Sequence, residues 1–185
     1  MIKEIAPKVW KLNVDSNVYF LDFKEKIVID CGPKAYRVLV EEELSKVVSL
    51  DKVERVIFTH LHYDHIGNFD LFPKAKYYAS EEEISLLKEN KVYAIGDPLL
   101  AMRFKVKLNP LKDFLGLKVI KTPGHTKGSI CLYYSKERVL FSGDTLFFNG
   151  FGRIDFPFSD PGKMEESLEM IKKIKYKILA PGHDY

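Results

Sequence analysis

The stretch Phe58-Thr59-His60-Leu61-His62-Tyr63-Asp64-His65 places three imidazoles and one carboxylate within six residues. It continues an apolar run, residues 53–58, that is typical of a buried strand. On a loop leaving that strand, His60 and His62 can point the same way and hold one ion, whereas Asp64 and His65 can reach a neighbouring site. Such nitrogen and oxygen ligands suit zinc, and also iron or manganese.

The other two of the five histidines lie in settings that resemble one another. His125 follows Pro123-Gly124 and His183 follows Pro181-Gly182, each time after a strand-like run. Asp144 also follows a strand and a glycine. Side chains on loops at strand ends converge on one rim of a sheet, where a rigid scaffold holds them. The sequence therefore favours one metal centre that uses all five histidines over scattered core or surface histidines.

Patterning along the chain predicts alternating strands and helices in one domain over residues 1–185. Runs rich in Val, Ile, Tyr and Phe predict strands at residues 8–13, 17–22, 26–30, 53–58, 75–79, 117–121, 129–135, 138–142 and 178–180. Apolar residues three or four apart predict helices opening at Pro33, over 81–88 and at Asp160-Pro161. This order of strands and helices is consistent with two sheets that pack face to face and are covered by helices. The pattern alone does not select that arrangement over other α/β folds.

Two details of this pattern bear on the site. Ser80 with Glu83 three residues later predicts a capping box at a helix start. Residues 91–113 predict a partly helical lid or rim, and with residues 147–158 they are expected to form the pocket walls. Tyr93, Met102 and Phe104 either line the cleft or pack, and we favour packing.

Composition excludes several classes of function. The net charge of +3 comes from lysines spread over the chain, so no basic patch predicts nucleic-acid binding. No run approaches about 18 apolar residues, so no membrane span is expected. The first residues lack the apolar core of a signal peptide, and we expect a cytoplasmic protein. Cys31 and Cys131 lie far apart and suit buried thiols in a reducing compartment.

The ligand pattern resembles the metallo-β-lactamase superfamily over nearly the whole chain. His60-Leu61-His62-Tyr63-Asp64-His65 looks like its HxHxDH motif, and the segments at residues 122–129, 142–147 and 181–183 resemble its later ligand motifs in the right order. Ile29-Asp30-Cys31-Gly32 resembles an early turn of the family. The resemblance implies an α/β fold of the αββα type, with two mixed sheets flanked by helices. It also implies two divalent metal ions in one cleft, with zinc favoured over iron or manganese.

The resemblance also implies a role for each ligand. His60, His62 and His125 would hold the first ion. Asp64, His65 and His183 would hold the second ion, and Asp144 would bridge the two. Asp64 would in addition orient the bridging hydroxide, which makes it the catalytic carboxylate. Asp30 would support a ligand from behind, or else be a plain turn residue.

Within the superfamily, the chain is most similar to glyoxalase II-type thioesterases and their short relatives. Residues 143–147 and the ending Gly182-His183-Asp184-Tyr185 carry that likeness, and Tyr185 becomes a candidate substrate contact or a surface-packed aromatic. Glyoxalase II continues into a helical domain that completes its glutathione site, whereas this sequence ends at Tyr185, which leaves glutathione specificity open. Arg153 could bind a substrate carboxylate or pair with Asp155.

The resulting prediction is a hydrolase for a small thioester such as S-lactoylglutathione, acting through a metal-bridging hydroxide. No Gly-x-Ser-x-Gly motif offers a serine nucleophile, and a thiolate leaving group needs little protonation. Three alternatives stay open: an iron persulfide dioxygenase, favoured by residues 152–156; a lactonase or other ester hydrolase; and a non-catalytic metal-binding module. We expect a small-molecule partner and a monomer or small homo-oligomer.

Overall fold

The computed structural model describes residues 1–184. Within these residues, eleven strands form two sheets. The first sheet has seven strands in chain order: β1 Lys3–Ala6, β2 Val9–Leu12, β3 Val18–Asp22, β4 Lys26–Ile29, β5 Arg55–Ile57, β6 Lys76–Ala79 and β7 Leu108–Pro110. The second sheet has the order β11-β10-β9-β8, with β8 Leu117–Lys121, β9 Ile130–Tyr134, β10 Val139–Gly143 and β11 Ile178–Pro181.

Both sheets are mixed. Strands β1 to β4 pair antiparallel and β4 to β7 pair parallel. In the second sheet β8, β9 and β10 pair antiparallel in turn, and β11 joins β10 in parallel. The helices are α1 Arg37–Ser45, α2 Tyr63–Ile66, α3 Glu81–Glu89, α4 Lys91–Ile95, α5 Pro98–Arg103 and α6 Pro161–Lys172. Within residues 1–184, no helix is long and apolar enough to cross a membrane.

The two-residue period of the strands divides the core into layers. In β3, Val18 and Phe20 pack in the cluster that also holds Val40 and Leu44 of α1. Tyr19 and Leu21, which point to the other face, pack in the cluster between the two sheets. Because β3 is buried on both faces, its sequence reads as a continuous apolar run rather than an alternating one.

The second sheet repeats this division. Leu132 and Phe141 face the first sheet, whereas Cys131 and Leu140 pack against Ile171 of α6. The layers therefore run helices, sheet, sheet, helix. This is the αββα arrangement that the sequence resemblance implied.

Several boundaries differ from the sequence prediction for local reasons. The helix expected from Pro33 begins with a 3₁₀ turn, Lys34–Tyr36, and becomes α-helical only at Arg37. The edge strands β1 and β7 were not predicted, since each has only three or four residues and little apolar patterning. The partly helical character of residues 91–113 is confirmed by α4 and α5.

Candidate metal centre

The strand directions bring the predicted ligands together. The loop after β5 carries His60 and His62 and runs into α2, which holds Asp64 and His65. The other three ligands follow the carboxyl ends of strands in the second sheet: His125 after β8, Asp144 after β10 and His183 after β11. Since β8, β10 and β11 all run in the same direction, these loops lie at one edge of the sandwich.

The ligand atoms group into sets that fit metal ions. His60, His62 and His125 form one set; Asp64, His65 and His183 form another; His60, His65 and Asp144 form a third that links them. Nε2 of His125 lies 3.2 Å from Nε2 of His60 and 2.8 Å from Nδ1 of His62. Ligands at about 2.0–2.1 Å in a tetrahedron are about 3.3–3.4 Å apart, so this spacing suits an ion at their centre.

Asp144 joins the two sets. Its Oδ2 lies 3.5 Å from Nε2 of His125 and 3.5 Å from Nε2 of His183. Its Oδ1 is 3.2 Å from Nε2 of His65, yet neither of these two buried atoms makes a well-aligned hydrogen bond within residues 1–184. Buried polar atoms are nearly always satisfied. A cation bound by these residues would supply the missing partner, and the His/Asp clusters therefore fit a metal site.

Four of the imidazoles are oriented from behind through Nδ1, which leaves Nε2 for the centre: His60, His65, His125 and His183. The Nδ1–H of His65 donates to Oδ2 of Asp30 at 2.9 Å, and that of His125 donates to the Arg153 carbonyl at 2.6 Å. His183 donates in the same way to the Asp15 carbonyl at 3.0 Å. Such partners set the tautomer and ring orientation of metal-binding histidines.

Asp30 connects two of the ligands. Besides His65, its carboxylate accepts from the backbone N–H of Thr59 at 2.9 Å and from the Thr59 hydroxyl at 2.7 Å. The Thr59 oxygen then lies 3.2 Å from Nδ1 of His60. Asp30 also has φ of 52°, a conformation that Asp tolerates better than most residues. It is thus both a turn residue and a hydrogen-bonding support, and these contacts suit the supporting role predicted for it.

Two glycines leave room for the bridging carboxylate. A Cβ at Gly182 would collide with Oδ1 of Asp144. A Cβ at Gly152 would lie 2.8 Å from Cβ of Asp144 and 2.8 Å from Nδ1 of His125. Since real Cβ atoms do not approach so closely, any side chain at either position would displace Asp144.

The charges of the two sets differ. Burial lowers the pKa of His62 to about 3 and also lowers the pKa values of His60 and His125, so the first set consists of neutral imidazoles. Burial likewise disfavours charge at His183, but its hydrogen bonds with Asp144 and Asp64 outweigh burial and raise its pKa to about 9. A divalent ion at the second set would take over the role of that proton and release it.

Glu83 supports the loops around the site, whereas its spacing from Ser80 predicts only a helix-capping role. The Ser80 hydroxyl does accept from the Glu83 N–H at 3.0 Å, as a capping box requires. The Glu83 carboxylate, however, turns away from the helix start. It accepts from the N–H of Leu61, between two ligands, at 3.0 Å and from the hydroxyl of Thr126. The predicted reciprocal box was therefore half wrong, because the buried carboxylate finds better donors in two loops distant in sequence.

Glu83 also predicts a pH dependence of stability. Burial raises its pKa to about 7 from the usual 4.5, against the opposing hydrogen bonds. The folded protein therefore holds this proton more tightly than the unfolded chain, and the contribution of Glu83 to the free energy of unfolding falls as pH rises from about 4.5 to 7. Relative to Glu83→Gln, the protein should lose about 2–3 kcal/mol between pH 5 and 8, measured by urea denaturation of both proteins.

The half-buried neighbour Glu82 is the matched control for this experiment. It pairs with Lys121 and its pKa is lowered, although burial opposes the shift. Glu82→Gln should therefore not reproduce the loss of relative stability above pH 5. Parallel stability curves for Glu83→Gln and the unchanged protein would contradict the assignment of a raised pKa.

The ligand sets lie at the floor of a cavity of about 710 Å³. As predicted, its walls come from α4 and the following turn on one side and from residues 147–157 on the other. Tyr93 lines the cavity, whereas Phe104 is buried in the core, so the preference for packing was right for Phe104 and wrong for Tyr93. It was also wrong for Met102, which is 73% exposed and does not line the cavity. Arg153 also lines the cavity, and it pairs with Asp155 through two hydrogen bonds of 2.9 and 2.8 Å. Tyr185, the other candidate substrate contact, lies outside the described residues.

Comparison with known proteins defines the class. The chain belongs to the metallo-beta-lactamase superfamily, whose family model matches residues 13–91 and 111–183. A protein of Methanocaldococcus jannaschii named "probable metallo-hydrolase" is 33% identical over 95% of this chain and 92% of its own length. A hydroxyacylglutathione hydrolase of Francisella philomiragia is 32% identical over 96% of this chain and 67% of its own length. The chain is accordingly a metallo-hydrolase of this superfamily.

Solved structures agree with the fold. A metallo-beta-lactamase family protein from Thermus thermophilus matches 98% of this chain and 75% of its own with a TM-score of 0.79 at 22% identity. A protein solved in a di-iron-bound form matches 95% of this chain and 91% of its own with a TM-score of 0.73 at 24% identity. At these identities the likeness concerns the fold alone.

Proposed function

We propose that this protein hydrolyses a small thioester at a centre of two divalent metal ions. An ester is the alternative substrate that we favour next, and zinc is the metal that we favour over iron or manganese. The observation that carries the proposal is the meeting of two three-ligand sets at Asp144 on the floor of the cavity. Two ions held there would lower the pKa of water to about 7 and polarise the scissile carbonyl. His60, His62 and His125 would hold the first ion, and Asp64, His65 and His183 the second.

The cavity wall supports water as the nucleophile. Among residues 1–184, the side chains lining the cavity include no Ser, Thr, Cys or Lys that could attack a carbonyl. Both cysteines are buried elsewhere, and burial raises the pKa of each thiol. A covalent intermediate on the protein is therefore disfavoured, and hydrolysis requires a positioned water molecule.

Asp64 is suited to position that water. Its Oδ2 lies 3.2 Å from Nε2 of His183 and 3.5 Å from Nε2 of His65, and the carboxylate faces the cavity. Burial opposes ionisation of Asp64, but His65 and His183 hold its pKa below the usual range. A carboxylate that stays ionised at neutral pH can accept a hydrogen bond from the attacking water and hold it toward the carbonyl carbon.

The leaving group favours a thioester. Beyond the ligands, the described cavity wall contains no histidine or lysine that could protonate a departing alkoxide or amine. A thiol has a pKa of about 8.5, so its thiolate can leave without being protonated. The similarity to a hydroxyacylglutathione hydrolase at 32% identity adds support for thioester chemistry.

Metal removal tests the proposal directly. Chelation should lower hydrolysis of S-lactoylglutathione, simple acyl thioesters and p-nitrophenyl esters by at least about a hundredfold, because no side chain replaces the activated water. Two equivalents of zinc per chain should restore it, with manganese and iron as comparisons. Elemental analysis of the restored protein gives the number of ions. Absence of turnover on the whole panel with a filled site would exclude the proposal.

The same preparation separates the alternatives. A lactonase would cleave lactones faster than any thioester. A persulfide dioxygenase would retain one iron per chain and consume oxygen with glutathione persulfide. We disfavour the persulfide dioxygenase, because the chain keeps the complete second ligand set, Asp64, His65 and His183. A non-catalytic module would bind two ions without any turnover.

A further inference from the structure

The wall of the cavity above the ligand sets is rich in aromatic side chains. Five aromatic side chains line it, with Val92 beside them: Tyr63, Tyr93, Phe147, Phe151 and Phe156. Three of these remain substantially exposed, at 48% for Tyr63, 53% for Tyr93 and 47% for Phe151. Neighbouring exposed aromatic side chains around a cavity are typical of a binding site for an apolar group.

Aromatic rings also flank the ligands themselves. Phe156 meets the rings of His62 and His125 edge-on, with centroids 5.0 and 5.7 Å apart. Phe147 meets His183 in the same way at 5.6 Å. A carbonyl placed at the metal centre would therefore have an aromatic ring on the side of each ligand set, and its substituents would extend along apolar wall.

The charged groups of the wall do not suit an anionic substrate. Apart from the ligands, Asp15 and Arg153 are the charged side chains among the described lining residues. The guanidinium of Arg153 is engaged twice, with both oxygens of Asp155 and over the Phe156 ring at 4.7 Å. Glutathione carries two carboxylates and would need cations that are free to pair with them. The described wall offers one cation, Arg153, and its guanidinium already pairs with Asp155.

We propose that the substrate is an uncharged thioester with an apolar or aromatic acyl group, rather than a glutathione conjugate. This inference rests on the proposed function, because it names the substrate of the same hydrolytic site. Burial of each additional acyl methylene against the wall should raise kcat/KM about fourfold until the cavity is filled.

Matched thioesters test the preference by turnover. The acyl series acetyl, butanoyl and hexanoyl on N-acetylcysteamine varies only the apolar length. Hexanoyl-N-acetylcysteamine and S-hexanoylglutathione share the acyl group and differ in the charge of the thiol. We expect kcat/KM to rise along the series and the glutathione thioester to be at least tenfold poorer. A flat series, or faster cleavage of the glutathione thioester, overturns the inference while leaving hydrolysis itself established.

Thioether analogues test the same preference without hydrolysis. Calorimetry on the zinc-loaded protein should show S-hexyl-N-acetylcysteamine binding at least tenfold more tightly than S-hexylglutathione. Equal or reversed affinities, or no binding of either, overturn the inference. Preferred binding of the neutral thioether by a protein that cleaves no thioester would exclude the proposed hydrolysis, and with it a thioester substrate, while retaining the preference of the cavity for an uncharged apolar ligand. Failure of the proposed function and failure of the apolar preference therefore give different results.

Variants locate the preference in the wall. Tyr93→Ala and Phe151→Ala should each lower the hexanoyl-to-acetyl ratio of kcat/KM at least threefold. Leu99→Ala is the matched control, since Leu99 is an exposed apolar residue of α5 that does not line the cavity, and it should leave the ratio unchanged. Arg153→Gln should leave the ratio of thioether affinities within about twofold. A tenfold loss of S-hexylglutathione affinity alone would show carboxylate binding by Arg153 and overturn the inference.

Discussion

Asp64→Asn is expected to lower kcat for the best thioester roughly a thousandfold. The amide has the size of the carboxylate, so packing around its partners His65 and His183 is preserved. It removes the negative charge that would help to hold the proposed second ion, and with it the acceptor proposed for the attacking water. Steady-state kinetics combined with elemental analysis should show lost turnover and a fall from two ions per chain toward one.

Asp15→Asn provides the control for this result. Asp15 lines the same cavity, but its contact with the site is a backbone carbonyl that accepts from His183, which the substitution retains. Its turnover should stay within a few fold of the unchanged protein. If Asp64→Asn retained both ions and most of its activity, Asp64 would be neither a ligand nor the carboxylate that positions water.

Asp30→Asn is expected to weaken binding of the second ion about 10- to 100-fold, with a loss of turnover of at least that size at limiting metal. The amide oxygen can still accept from the Thr59 N–H, but the amide nitrogen then faces Nδ1 of His65. Two donors oppose each other there, which drives the His65 proton to Nε2. That nitrogen belongs to the second ligand set, and a protonated nitrogen cannot bind an ion.

Two measurements separate this tautomer effect from simple loss of stability. Competition with a chromophoric chelator gives the affinity for each ion, and nitrogen chemical shifts of His65 report which ring atom carries the proton. Glu43→Gln is the control, a buried carboxylate that bonds the Ile2 N–H and pairs with Lys46. It should cost stability yet leave both affinities unchanged. Unchanged affinities in Asp30→Asn would show that Asp30 acts only as a turn residue.

Much of the centre was predictable because metal ligands are limited to a few residue types. His60, His62, Asp64 and His65 are close in sequence, so local geometry alone brings them near one another. The remaining ligands follow strands and Pro-Gly or Gly turns, which predicts loops at sheet edges. Fold class followed from the same motifs through resemblance, and the strand and helix pattern alone would not have selected it.

The supporting contacts could not be predicted, because they join residues far apart in the chain. Glu83 shows this best. Its spacing from Ser80 satisfies a local rule, but burial and the donors on Leu61 and Thr126 determine where its carboxylate points. The apolar character of the cavity wall is similar, since Tyr93 and Phe151 become neighbours of the ligands only when α4 and the loop after β10 pack around the same edge.

The amino-acid sequence by itself therefore determined which residues can bind metal and in what order they occur, because ligand chemistry depends on residue type and short-range spacing. Only the tertiary structure decided which nitrogen of four imidazoles faces the centre, how Asp144 lies between the two sets, and that Arg153 is paired with Asp155. These features depend on hydrogen bonds and burial between distant segments, and those arise only when the two sheets pack together.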